Sequence, residues 1–174
     1  MSLTAAGAVA LAVVLEAAVG EPLARIHPVA WFGRAVTPFD REWAHPLVVG
    51  TVVAVTLPLA AAGVVAGVVA LAGRVDALVA AGVAGVALFA TTSLRMLSRE
   101  ARSVVAATES NLVAARERLP SLAGRDASEL SAGELRSAAV ESAAENLADG
   151  LVAPLLAFAL GALVSLPVAA GAAA

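Results

Sequence analysis

Cysteine, lysine and tyrosine are absent from this 174-residue sequence, and aromatic residues of every kind make up only 3% of it. Without cysteine, neither a disulfide framework nor a zinc–thiolate site is possible. Histidine occurs twice, at His27 and His45, each followed by proline in a loop-like stretch, too sparse a supply for a histidine-rich metal centre. All eleven basic residues are arginine, spread without a dense patch, and the net charge is −3. With so few aromatics this is no nucleic-acid footprint, and no nucleic-acid partner is expected. Neither a P-loop nor a glycine-rich dinucleotide fingerprint occurs, so a nucleotide site here is not legible by motif.

Charge of either sign is also scarce, 14% of residues against about 25% in an average soluble domain. What fills the chain instead is apolar: 60% hydrophobic residues and a mean hydropathy of +0.90. Four stretches, about 3–19, 47–72, 76–94 and 151–172, approach the ~20 residues that cross hydrocarbon as a helix; Glu16 interrupts the first. Four helices apolar on all sides leave a small soluble domain too little polar surface to stay dissolved. The predicted fold is therefore all-α, a single polytopic membrane domain over 1–174 with about four transmembrane helices and a cytoplasmic helical segment over 95–150. The N-terminal stretch lacks the positive region of a secretory signal and is read as a retained span. Arg25, Arg34 and Arg41 lie between the first two spans, and seven arginines from Arg95 to Arg136 lie between the last two. By the positive-inside rule those loops are cytoplasmic, in a multi-pass protein of the cell membrane with its N-terminus outside and lipid around it.

Between the spans, residues 20–46 are rich in proline, glycine and charge, with Trp31, Phe32 and Trp43 suited to the headgroup level. "GRVD" at 73–76 turns a helical hairpin. Gly63 and Gly67 form a small-xxx-small pair that would admit another helix, although in so Ala- and Gly-rich a chain such a pair arises readily by chance. Leu97, Ala101, Val104, Thr108, Leu112, Ala115 and Leu119 recur at threes and fours, predicting one amphipathic helix over 95–119 that Pro120 ends. A polar connector follows, and Ser131 with Glu134 three positions on predicts a capping box at the start of the next helix.

On that helix Glu134, Glu141, Glu145 and Asp149 fall within an arc of about 80° at 100° per residue. Ser142 and Asn146 extend the polar face; Val140, Ala144, Leu147 and Leu151 are placed opposite it. One reading is a solvated face. The other is a hard-cation site, since like charges at i,i+4 repel and carboxylates combined with substrate phosphate oxygens are how Mg²⁺ is commonly held. Their position at the entry to an apolar segment favours function.

"GEPLARIHPVAWFG" at 20–33, "LAGRDASEL" at 122–130 and "AAVESAAENLADGLVAPL" at 138–155 together resemble the cobalamin-biosynthesis family of adenosylcobinamide-phosphate synthases, or cobyric-acid aminopropanol ligases. The third block is the specific one, and the resemblance runs from about residue 16 to 160. It implies an integral membrane amide (carbon–nitrogen) ligase that uses ATP and Mg²⁺ to join aminopropanol or its phosphate to adenosylcobyric acid, a corrinoid. It further implies Glu141, Glu145 and Asp149 on the metal, Glu141, Glu145 and Asn146 in catalysis, and His27 as the base accepting a proton from the attacking ammonium. Arg125, Asp126 and Glu21 are implied in substrate or phosphate binding. Other membrane proteins of the same pathway are candidate partners. The sequence departs from the family pattern where Glu16 and Glu21 replace aspartates and where Ala127 replaces a threonine. The family continues with a polar block, Asn-Thr-x-Asp-Ser-Met, that is not found here, so a truncated chain or fragment is expected. A non-enzymatic membrane sensor or partner subunit related to the family, and a carrier using the carboxylate row, are the rival functions.

Overall fold

The computed structural model describes residues 2–20, 28–124 and 126–174, with Pro28 and Val29 as backbone only. Glu21, His27 and Arg125 lie outside the described residues. Among those described there is no strand, and the α-helices in chain order are α1 (Leu3–Ala18), α2 (Pro28–Val36), α3 (Pro46–Gly73), α4 (Ala77–Ala90), α5 (Leu94–Ser110), α6 (Leu112–Arg118), α7 (Ala132–Leu147), α8 (Ala153–Gly161) and α9 (Leu166–Ala173). They divide into two compact units, one of Met1–Thr92 with Ala153–Ala174 and one of Ser93–Val152. The second nearly coincides with the segment the sequence sets apart as polar.

In the first unit, α1 starts where the Ser2 hydroxyl accepts from the Ala5 amide at 3.2 Å. It stops at Gly20, whose φ of 77° is the left-handed conformation that glycine adopts beyond a helix end. Ala5, Ala8, Ala12 and Glu16 are its buried residues, spaced so that they share one face, and that face packs on α4. Gly85 makes the close approach possible, because a Cβ there would lie 2.8 Å from the Ala8 carbonyl oxygen and 3.0 Å from Leu11. Gly63 and Gly67 on α3 have nothing within 4 Å of such a Cβ, so the small-xxx-small pair is not a helix contact among the described residues.

α3 buries only Val69. Leu47, Val52, Val55, Leu59, Val64 and Val68 are at least half exposed, an apolar surface that water would penalise and hydrocarbon would not. Pro46–Gly73, Ala77–Ser110 and Ala132–Gly161 are long and apolar enough to cross a membrane, and Leu3–Ala18 is a shorter apolar helix. This is a membrane protein.

The expected span over 151–172 is not one helix. α8 ends at Gly161, and α9 begins afresh after Ser165, whose hydroxyl accepts from the Val168 amide at 3.4 Å. Pro167, at the second position of α9, suits a helix start and not a helix interior. α9 folds back on α8, and a Cβ at Gly161 would lie 2.6 Å from Ala169 Cα. Eight and nine residues rise only about 12–14 Å, so neither piece crosses alone; α8 does so only as the end of the longer stretch beginning in α7.

Trp31, Phe32 and Phe39 are exposed on and just after α2. The Trp43 indole donates to the Phe39 carbonyl at 3.0 Å, and the Arg41 guanidinium lies 4.0 Å above the Trp43 ring. A cavity of about 770 Å³ opens among α2, this aromatic turn and the first turns of α3.

The second unit is built on α5 and α7. Leu97, Val104, Ala115 and Leu119 from the predicted stripe are buried, but the helix is broken at Asn111. Asn111 ends α5 in an extended conformation and caps α6, its side-chain oxygen accepting from the Ala114 amide at 3.0 Å. That competition between side chain and helical backbone is why asparagine favours caps.

Candidate functional site

α7 begins as its sequence predicts. The Glu134 amide donates to the Ser131 hydroxyl at 3.4 Å, and the Glu134 carboxylate accepts from the Ser131 amide at 2.8 Å. This removes Glu134 from the candidate row, because its carboxylate is engaged at the helix start. Glu141, Glu145 and Asp149 are exposed and continue the row at i+4 spacing.

The buried side of α7 differs from the expectation. Leu135, Ala138, Ala139 and Ser142 face inward, whereas Val140, placed with the apolar side, is 62% exposed. The face packed against α5 is the one that carries Leu135, Ala138, Ala139 and Ser142, and at 100° per residue Val140 falls on the far side of the helix from it. The polar block therefore resolves into two adjacent rows at the same four-residue spacing. Glu141, Glu145 and Asp149 point outward, and their successors Ser142, Asn146 and Gly150 point inward.

Each inward residue has a definite neighbour or burial. Ser142 is 3% exposed. The Asn146 Nδ2 donates to the Leu122 carbonyl at 3.0 Å, so its amide group ties α7 to the preceding connector. Gly150 lies in a turn of π-helix, Ala148–Val152, that links α7 to α8. Its carbonyl accepts from the Ser93 amide at 3.1 Å, and a Cβ there would lie 2.5 Å from the Ser93 hydroxyl oxygen. The π-turn carries Asp149, and single π-turns of this kind recur at functional sites. The Asp-Gly pair at 149–150 in a helical pattern is the only trace of this turn in the sequence.

The connector that Asn146 holds contains Asp126. Its carboxylate accepts from the Ser128 amide at 2.9 Å, and this backbone bond, with a second bond to the Ser128 side chain, lowers the Asp126 pKa below its ordinary value. Asp126 thus stays ionised beside a tight turn. Glu16 is 8% exposed, on the packed face of α1.

Among the described residues no three histidine, aspartate or glutamate side chains converge closely enough to hold a metal ion. The donor chemistry of the outward row suits a hard cation, but it falls short of the six oxygens that Mg²⁺ demands. It fits an ion carried in on phosphate oxygens and does not fit a resident one.

The family model described as CobD/Cbib protein matches residues 9–173. The cobalamin biosynthesis protein CobD of Geobacter metallireducens is 39% identical over 165 residues, covering 91% of this chain and 52% of that protein. The cobalamin biosynthesis protein CbiB of Salmonella choleraesuis is 35% identical over 162 residues, 87% of this chain and 50% of that protein. The probable cobalamin biosynthesis protein CobD of Methanothermobacter thermautotrophicus is 32% identical over 151 residues, covering 86% and 49%. The chain thus spans about half the length of the curated relatives it matches. No solved structure matches it. With nearly the whole sequence matched, the chain belongs to the CobD/Cbib protein family.

Proposed function

We propose that this chain serves cobalamin biosynthesis as part of a membrane amide ligase, joining aminopropanol or its phosphate to a propionate of adenosylcobyric acid to give adenosylcobinamide or its phosphate. Family membership supports the pathway. The observation that carries the chemistry is the outward row Glu141, Glu145 and Asp149, which α7 and its π-turn present where the chain passes from a polar to an apolar segment.

A propionate is a poor acylating agent until one oxygen becomes a leaving group. ATP with Mg²⁺ would supply that activation when bound, with one or two carboxylates of the outward row, Glu145 among them, as the ion's protein ligands. His27 would take the proton from the attacking ammonium, because an imidazole of ordinary pKa near 6.5 suits that transfer. Arg125, Asp126 and Glu21 would meet the charged parts of the substrates. The polar segment would face the cytoplasm, where both substrates are charged and soluble.

Titrating the detergent-purified chain with adenosylcobyric acid, with and without Mg·ATP, tests the reading through the corrinoid absorbance. A saturable change that Mg·ATP strengthens is expected. No change from a chain shown by circular dichroism to be helical would overturn a corrinoid site within these residues. Glu145→Gln should remove the Mg·ATP-dependent part alone, and an undiminished increment would overturn the metal role.

A further inference from the structure

The connector between α6 and α7 is fastened at both of its ends by side chains from the helices beside it. At its start, Asn146 Nδ2 donates to the Leu122 carbonyl at 3.0 Å. At its finish, Arg116 Nε donates to the Leu130 carbonyl at 3.0 Å. Between these points Leu122, Ala123 and Ala127 are buried in the core of the second unit, while Asp126 closes its own turn on Ser128.

The connector leads from the level of Asn146 back to the start of α7. Short backbone bonds shape both ends: the Ala123 amide donates to the Leu119 carbonyl at 2.9 Å, and the Leu130 amide donates to the Ala127 carbonyl at 3.2 Å. The side-chain bonds at Leu122 and Leu130 therefore fall on segments that are already turned.

We propose that Arg116 and Asn146 are positioning residues, which clamp the connector at Leu130 and Leu122 and so fix where Asp126 stands relative to the outward carboxylate row. Asn146 acts through the Leu122 carbonyl rather than on the substrate, and Arg116 acts through Leu130. The inference about catalysis rests on the ligase reading, but the clamp itself does not.

The clamp is tested by hydrogen–deuterium exchange on the full chain in detergent micelles, comparing wild type with Arg116→Met, Arg116→Lys and Asn146→Leu. Loss of one net hydrogen bond should speed exchange of the amides in 123–130 about fivefold. Peptides from α5 and from the first turns of α7 should keep their wild-type rates. Arg116→Lys, which retains a donor, should restore slow exchange. Unchanged exchange over 123–130 in both Arg116→Met and Asn146→Leu overturns the proposal. So does an equal acceleration in α5 and α7, because that would mark general loosening of the unit. If wild type binds no corrinoid while the exchange pattern is as expected, the ligase reading fails and the clamp stands.

Discussion

Replacing Gly150 by alanine isolates the contact that holds the π-turn of α7. A Cβ at Gly150 would lie 2.5 Å from the Ser93 hydroxyl oxygen, with the next nearest atom, Leu97 Cδ1, at 3.7 Å. One atom therefore makes the whole clash. Because that hydroxyl can turn away about χ1, the clash should cost only about 0.5–1.5 kcal/mol, and alanine recovers about 1 kcal/mol over glycine in a helical segment, so Gly150→Ala alone should change stability by no more than about 0.5 kcal/mol in either direction. Ser93→Ala should be nearly neutral, since the Ser93 side chain caps nothing at the start of α5 and its amide still donates to the Gly150 carbonyl. With that hydroxyl gone, Gly150→Ala meets ordinary contacts and should stabilise by up to about 1 kcal/mol. The double-mutant cycle should thus give a coupling of about 0.5–1.5 kcal/mol. Reversible unfolding in mixed micelles, followed by circular dichroism, measures the four corners. An equal effect of Gly150→Ala in both backgrounds would refute the argument that glycine is required there by Ser93.

Three further outcomes follow from the same geometry. Ser131→Ala should cost about 1 kcal/mol in the same unfolding assay, because it removes the oxygen that accepts from the Glu134 amide; no loss would mean that the capping box is dispensable. Gly85→Ala should cost about 1–3 kcal/mol, since its Cβ would meet a backbone oxygen that cannot rotate away, whereas Gly63→Ala, with nothing within 4 Å, should be neutral or slightly stabilising. Equal effects at the two glycines would contradict the α1–α4 contact. Because the folded Asp126 pKa is lowered, the turn it closes should be fully held above its unfolded-state value and lost as the pH falls through the lower folded one. A carboxyl ¹³C titration of Asp-labelled chain, assigned with Asp126→Asn, reads this directly, and a midpoint above that of an ordinary aspartate would contradict it.

Much of the fold is written in local signals. The all-α class follows from the apolar runs, the end of α1 from Gly20, the start of α7 from Ser131 and Glu134, and the hairpin turn before α4 from Asp76, whose carboxylate accepts from the Leu78 amide at 2.6 Å. What escaped were interruptions and faces. The breaks at Asn111 and Ser165 each carry a cap residue, but in both places the hydrophobic pattern runs on unbroken, and pattern outweighs a single cap when a sequence is read by period. The inward face of α7 escaped for a different reason. Hydrophobicity favours the side of Val140, yet the side of Leu135, Ala138, Ala139 and Ser142 is the one packed against α5, and only the neighbouring helix decides between them.

The same two rows explain why the α7 block is so dense in polar residues. A helix needing only a solvated face would place carboxylates at 141, 145 and 149 and leave 142, 146 and 150 to apolar packing. Here each outward acid is followed by a residue chosen for contact: a buried serine, an asparagine tied to Leu122, and a glycine pressed on Ser93. Because successors differ by about 100°, the inward row anchors the backbone beside the outward one. Glu145 and Asn146 thus form one device, the first presented and the second holding it in place. If the outward row meets a charged ligand, loss of Asn146 should weaken that encounter without removing a ligand atom. Loss of Glu145 should instead remove the Mg·ATP-dependent part of the titration while leaving the connector clamped. The two variants therefore separate binding from positioning: corrinoid titration with Mg·ATP reads the first, and amide exchange over 123–130 reads the second. An Asn146→Leu chain with a wild-type titration but a loosened connector would show that the outward row is positioned by the π-turn alone.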